Sequence, residues 1–265
     1  MSRMEYGYGS EWHMLHWLGY HRNELNAVIE NAIANGKAEA SLTARRMLVS
    51  ATDKSQITWL DMPWSGKPDD RMQNLDWQGV QFIDDASVQG AWGNFWPKSG
   101  GAQSWDAIGL RSTPEGHEWL LVEAKAHVGE MVSACKATHP GRKIICAALK
   151  ETRQALGIAA DKAIEDTWLR RYYQYANRLA ALYFLRKIAV NDKPIRARLI
   201  MVYFTGECML PKRDCPGSAA QWDSPIEDMY RSLGLLNGNT TFRQPAVKPS
   251  LMQYVHEVYL PVSKQ

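Results

Sequence analysis

The apolar residues of this chain repeat with two different periods, and each change of period marks an element. From Ser10 to Asn35, the residues Leu15, Leu18, Leu25, Ile29 and Ile33 fall on one face at 100° per residue, which predicts a helix. Ser10 is placed to cap its start and Asn35-Gly36 to stop it. A second short helix is expected over about 41–52. Residues 53–104 are rich in Trp, Asp, Gly and Pro; within them "ITWLDMPW" and "GVQFIDD" read as short strands, the second ending at Asp84 and Asp85, and "PKSGGAQS" as a loop. "WDAIGLRS" (105–112) and "EWLLVEAKAH" (118–127) alternate as strands and are joined by "TPEG", with Pro114 and Gly116 at the second and fourth turn positions. Helices follow over about 144–156 and 166–189, the latter capped by Asp166 or Thr167, then a buried strand "RARLIMVYFTG" (196–206). A helix near 218–234 and a strand "QYVHEVYLPV" (253–262) come last. This order predicts an α/β chain with a mixed central sheet and helices on both faces.

Within the hairpin the charges are aimed. Successive strand side chains point to opposite faces, so Trp119, Leu121, Glu123, Lys125 and His127 share one face while Leu120, Val122, Ala124 and Ala126 share the other. If Thr113–Gly116 closes the turn, facing residues sum to about 229, which sets Asp106 opposite Glu123 to within one residue. Two carboxylates at that range repel unless one is protonated or a cation joins them. A hard divalent ion takes oxygen ligands, and magnesium needs only one or two carboxylates while keeping room for a phosphate.

"WDAIGL" followed by "LLVEAKAH" resembles the PD-(D/E)xK nuclease superfamily, the restriction-endonuclease-like phosphodiesterases. Asp106, Glu123 and Lys125 match that family's pattern of an Asp on one strand and Glu-x-Lys on the next. The resemblance covers a core of about 10–206, in a single domain over 1–265 with an insertion at 53–104 and a helix-strand extension at 207–265. It implies a three-layer α/β/α fold and metal-dependent hydrolysis of nucleic-acid phosphodiesters, DNA favoured, with Mg2+ or Mn2+. By the same resemblance Asp106, Glu123 and the Ala124 carbonyl are the expected metal ligands, with Glu11 of the first helix as an added carboxylate. Lys125 is expected to serve the nucleophile and the transition state. Trp105 replaces the usual proline, and "YYQYANRLA" lacks the Gln-x-x-x-Tyr signature of one branch of the family; Gln174 and Asn177 of that helix, together with His127, are the expected substrate contacts.

Other residues carry alternatives. Asp84 and Asp85 suit a turn or a metal; His13, His16 and His21 suit core or surface positions. Lys98, Arg111, Arg142 and Lys143 are open to a phosphate backbone or to solvent. Trp59, Trp64, Trp77, Trp92 and Trp96 are open to base stacking or to the core. The chain has 265 residues, eleven of them Trp, a net charge of +3 and a pI near 8.6, which permits a polyanion partner without requiring one. Four cysteines without CxxC spacing argue against a zinc site and for a reducing cytoplasmic setting. No apolar run approaches a membrane span and no secretory h-region is present. A homodimer or a protein partner supplying specificity is compatible with the chain. The rival readings are a non-catalytic nucleic-acid-binding or assembly module on the same fold, or a Trp-rich ligand-binding protein.

Overall fold

The computed structural model describes residues 8–40, 57–60, 77–97, 102–190, 193–207, 209, 212–236 and 251–262. The expected helix at 41–52, Trp64 and Lys98 lie outside them. At the centre is a six-stranded sheet. Its strands, from edge to edge, are β1 (Lys37–Glu39), β10 (Val255–Pro261), β9 (Ala197–Thr205), β6 (Gly116–Lys125), β5 (Ala107–Thr113) and β2 (Ile57–Trp59). The pairs from β1 to β6 are parallel and those from β6 to β2 antiparallel, so the sheet is mixed. Short pairs β3 (Trp77–Gln78) with β4 (Ser104–Trp105) and β7 (Ala189–Val190) with β8 (Lys193–Pro194) stand beside it. The segment expected as a C-terminal extension thus supplies an interior strand, β10.

Both faces of the sheet are covered. On one, α1 (Ser10–Tyr20) and α2 (Arg22–Asn35) bring Met14, Trp17, Leu25 and Ile29 onto Leu120, Val122, Ala124 and Ala126. On the other, Leu121, Met201 and Tyr203 meet α4 (Gly141–Ala155), α5 (Lys162–Arg170), α6 (Tyr173–Lys187) and α7 (Ala219–Ser232) through Leu149, Trp168, Leu179 and Trp222. The alternation read from "EWLLVEAKAH" is therefore the division between two cores. Among the described residues no helix is long and apolar enough to cross a membrane.

Several expectations change. The predicted helix 10–35 is two helices, because His21 leaves helical geometry (φ −134°, ψ 32°) between a stretch of weak formers and the restart at Arg22. Its cap is Gly9 rather than Ser10, whereas Gly36, at φ 85°, ends it as expected and donates to the Ala32 carbonyl. The predicted helix 166–189 breaks at Arg171 and Tyr172, where Ser133 donates to the Arg171 carbonyl and accepts from the Tyr173 N–H. Asp161, not Asp166 or Thr167, caps the first half by accepting from the Ile164 N–H. "GVQFIDD" is a turn, and Asp85 caps α3 (Ala86–Phe95) through the Ser87 and Val88 N–H groups. Trp59, Trp92 and Trp96 are buried in the core, and the Trp59 indole donates to Asn26 Oδ1. Arg111 is held by Glu30 and Glu118.

At the end of the sheet where β6 begins, buried Glu118 accepts from Arg111 and Arg198, and Arg198 donates to Nε2 of His256 at 2.9 Å. The His256 Nδ1–H donates to the Ala32 carbonyl, which fixes the neutral ring. Burial, then the charge of Arg198, lowers the imidazole pKa from 6.5 to about 4. A base depressed in the fold adds stability above its unfolded value and loses it as pH falls towards the folded one. Wild type is expected to lose a few kcal/mol between about pH 7 and pH 4 that His256→Gln does not lose, measured by urea unfolding at the two pH values.

Candidate active site

The hairpin closes in the register expected from its turn. Thr113 pairs with Gly116 and Ala107 with Val122, so the next facing positions are Asp106 and Glu123. Asp106 lies in the bend between β4 and β5, where its N–H donates to the Val122 carbonyl. Its Oδ2 accepts from the Ala124 N–H at 2.6 Å, which folds the carboxyl back onto the partner strand.

Glu123 is only 2% exposed, on the side of the sheet that faces α6. Its two oxygens have different partners. Oε1 accepts from Lys125 Nζ, two residues along the same strand face. Oε2 accepts from Arg178, with Nε at 2.7 Å and Nη2 at 2.6 Å. Arg178 comes from α6, in "YANRLA", and is pinned on every side. Its Nη1 donates to Asn177 Oδ1 at 2.7 Å, its Nη2 to the Ser104 carbonyl at 2.5 Å, and its guanidinium lies 4.8 Å from the Trp105 ring centroid. Trp105 is itself anchored, its indole donating to the Gly79 carbonyl. Trp105, the residue before Asp106, is thus a platform for an arginine.

The electrostatics follow from this layout. Burial raises the Glu123 pKa, but Arg178 and then Lys125 overcome it and hold the carboxylate below its ordinary value. Asp106 shifts the other way. Burial first, then the charge of Glu123, pushes it well above the ordinary carboxyl range, against the pull of Lys125, the Ala124 N–H and Arg178. The two facing carboxyls therefore favour opposite protonation states.

The other expected residues divide. Gln174 lines a small, partly open cleft together with Glu123, Lys125 and Tyr203. The Tyr203 hydroxyl is buried there and has no hydrogen-bond partner among the described residues. Asn177 is buried, and its Oδ1 is taken by Arg178 while its carbonyl accepts from Gln103. His127 sits just past β6 with Nε2 3.6 Å from Glu130. Glu11 belongs to α1, which covers the opposite face of the sheet from Glu123 and Lys125. Among the described residues no group of three or more His, Cys, Asp or Glu side chains forms, so Glu11 does not complete a ligand set with Asp106 and Glu123. His13 is buried against Glu207 at 2.7 Å. Arg178 was not marked by any short motif; its only sequence signal is a basic residue inside an otherwise apolar helix, "YANRLAALYFL".

No family model, no curated protein and no solved structure matches the chain.

An acid whose pKa is raised by the fold contributes stability below its unfolded value and loses it as pH rises through the folded one. Asp106→Asn keeps the acceptor for Ala124 without the charge, so in chelator at neutral pH it should melt higher than wild type. About 1 kcal/mol, or about 2–4 °C in a chain of this size class, is the expected scale. The gap should narrow on acidification. Equal melting curves at both pH values would show that Asp106 carries no such penalty.

Proposed function

We propose that the protein hydrolyses nucleic-acid phosphodiesters with a divalent metal, DNA being the favoured substrate, by a site similar to that of the PD-(D/E)xK nucleases. One observation carries the reading: Asp106 and Glu123 meet across a hairpin with Lys125 already bonded to Glu123. The mixed sheet supports it, with an antiparallel hairpin bearing the acids and β9 pairing directly and in parallel with β6 after the helices α4 to α6. That arrangement supports reading the chain as the restriction-endonuclease-like core that the motif implies.

The donor set suits Mg2+ or Mn2+. Asp106 is an oxygen donor whose ionisation its neighbour opposes, so added positive charge favours its ionised form. Glu123 Oε1 is held by a flexible lysine that can yield it. Asp106, Glu123 and the Ala124 carbonyl would hold the ion. Bound there, it supplies positive charge to the phosphoryl oxygens and acidifies water. Lys125, on yielding Oε1, turns its ammonium towards the attacking water and the charge that develops at phosphorus. Gln174, beside Lys125 in the cleft, is placed to orient that water or a phosphate oxygen.

A second reading, a non-catalytic binding module on the same fold, is favoured by one feature. Both oxygens of Glu123 are already paired with cations, so the cluster is balanced without a metal.

A cleavage screen over single- and double-stranded DNA and RNA with Mg2+ or Mn2+ separates the two. Cleavage by wild type is expected, and Lys125→Ala should lose about 10²–10³-fold in rate. That variant should still fold, because Arg178 keeps Glu123 paired; the loss should stay below the roughly 3–5 kcal/mol of an unpaired buried charge. Metal should still raise its melting temperature. No product from any substrate would favour the binding module, and a fully active Lys125→Ala would remove Lys125 from the mechanism.

A further inference from the structure

We propose that Arg178 is a positioning residue that fixes the orientation of Glu123 and, as a permanent rival cation, sets how weakly the Asp106–Glu123 pair holds a divalent ion. The inference rests on the reading of these two carboxylates as metal ligands.

Oε2 of Glu123 is taken twice by one guanidinium, at 2.7 and 2.6 Å, so the carboxylate can turn neither oxygen freely. The same guanidinium is anchored to Asn177, Ser104 and Trp105, on an arginine that is 3% exposed. It is therefore built in, unlike the single-point contact of Lys125. Arginine also keeps its charge under any ordinary condition, so it cannot make way by losing a proton. A divalent ion arriving at Oε1 meets an unmoving positive charge on the far oxygen of the same carboxylate. Outer partners of this kind orient a ligand, and here they also weaken it. If Arg178 served stability alone, its loss would leave Glu123 free to rotate, and metal affinity would stay level or fall.

The full-length chain is titrated with Mn2+ by calorimetry without nucleic acid, with folding of each variant checked by circular dichroism. Arg178→Gln is expected to bind Mn2+ on the order of tenfold more tightly than wild type, the scale of one nearby charge removed in a partly screened site. Arg178→Lys, which keeps charge but loses the double hold on Oε2, should fall between them. It also carries the comparison should the glutamine variant not fold. Glu123→Gln should abolish the binding in the wild-type and Arg178→Gln backgrounds. Folded Arg178 variants that bind Mn2+ no tighter than wild type would overturn the inference while leaving the metal site standing. Binding that survives Glu123→Gln would place the ion elsewhere and overturn both.

Discussion

A buried carboxylate needs a cation, and Glu123 has two of them from different parts of the fold. Lys125 reaches it along its own strand, and Arg178 reaches it from a helix that packs over the sheet. Because Arg178 also holds Ser104 and stacks on Trp105, this one side chain joins α6, β4 and β6. The bend that carries Asp106 directly follows Trp105, so the position of the second acid depends on the same guanidinium. Truncating a member of such a group exposes the remaining charges to a medium that cannot solvate them, which is why these contacts act together.

The same strand carries a second buried glutamate, and the comparison explains what makes one end a site. Glu118, 1% exposed, is also held by two cations, Arg111 and Arg198. Its facing residue in the hairpin is Arg111, an opposite charge. At Glu123 the facing residue is Asp106, a like charge. The first arrangement satisfies itself and locks the sheet. The second leaves a carboxyl whose ionisation is opposed, and that unsatisfied demand for positive charge is where chemistry can be placed.

How much of this was legible in the sequence depends on how local each feature is. The hairpin, its register and the face shared by Glu123 and Lys125 follow from a turn and a period of two, and the structure has them. The helix breaks at His21 and at Arg171-Tyr172 were hidden, because periodicity runs through a break when residues on both sides keep an apolar stripe. At the second break the cause is Ser133, distant in sequence, whose backbone pairs with the chain there. Asp85 read as the end of a strand rather than a helix cap, because the Gly- and Trp-rich run after it scores poorly as helix. Trp105 and Arg178 gain their meaning from each other across a long separation, which no single window contains. Glu11 was read as facing inward from its helix, but nothing in the stripe tells which side of the sheet that helix will cover.

The order of the strands also sets the order in which these contacts can come into being. β1 pairs in parallel with β10, so Lys37 waits roughly two hundred residues for Glu257. Parallel pairing across such separations is slow to form, since the loop must close before any bond repays it. The hairpin of β5 and β6 has no such delay. Asp106 and Glu123 can therefore be brought face to face while the chain is still emerging from the ribosome, before α6 exists to deliver Arg178. During synthesis the nascent hairpin would hold two acids and one lysine in water, and only the arrival of the helix would seal them in.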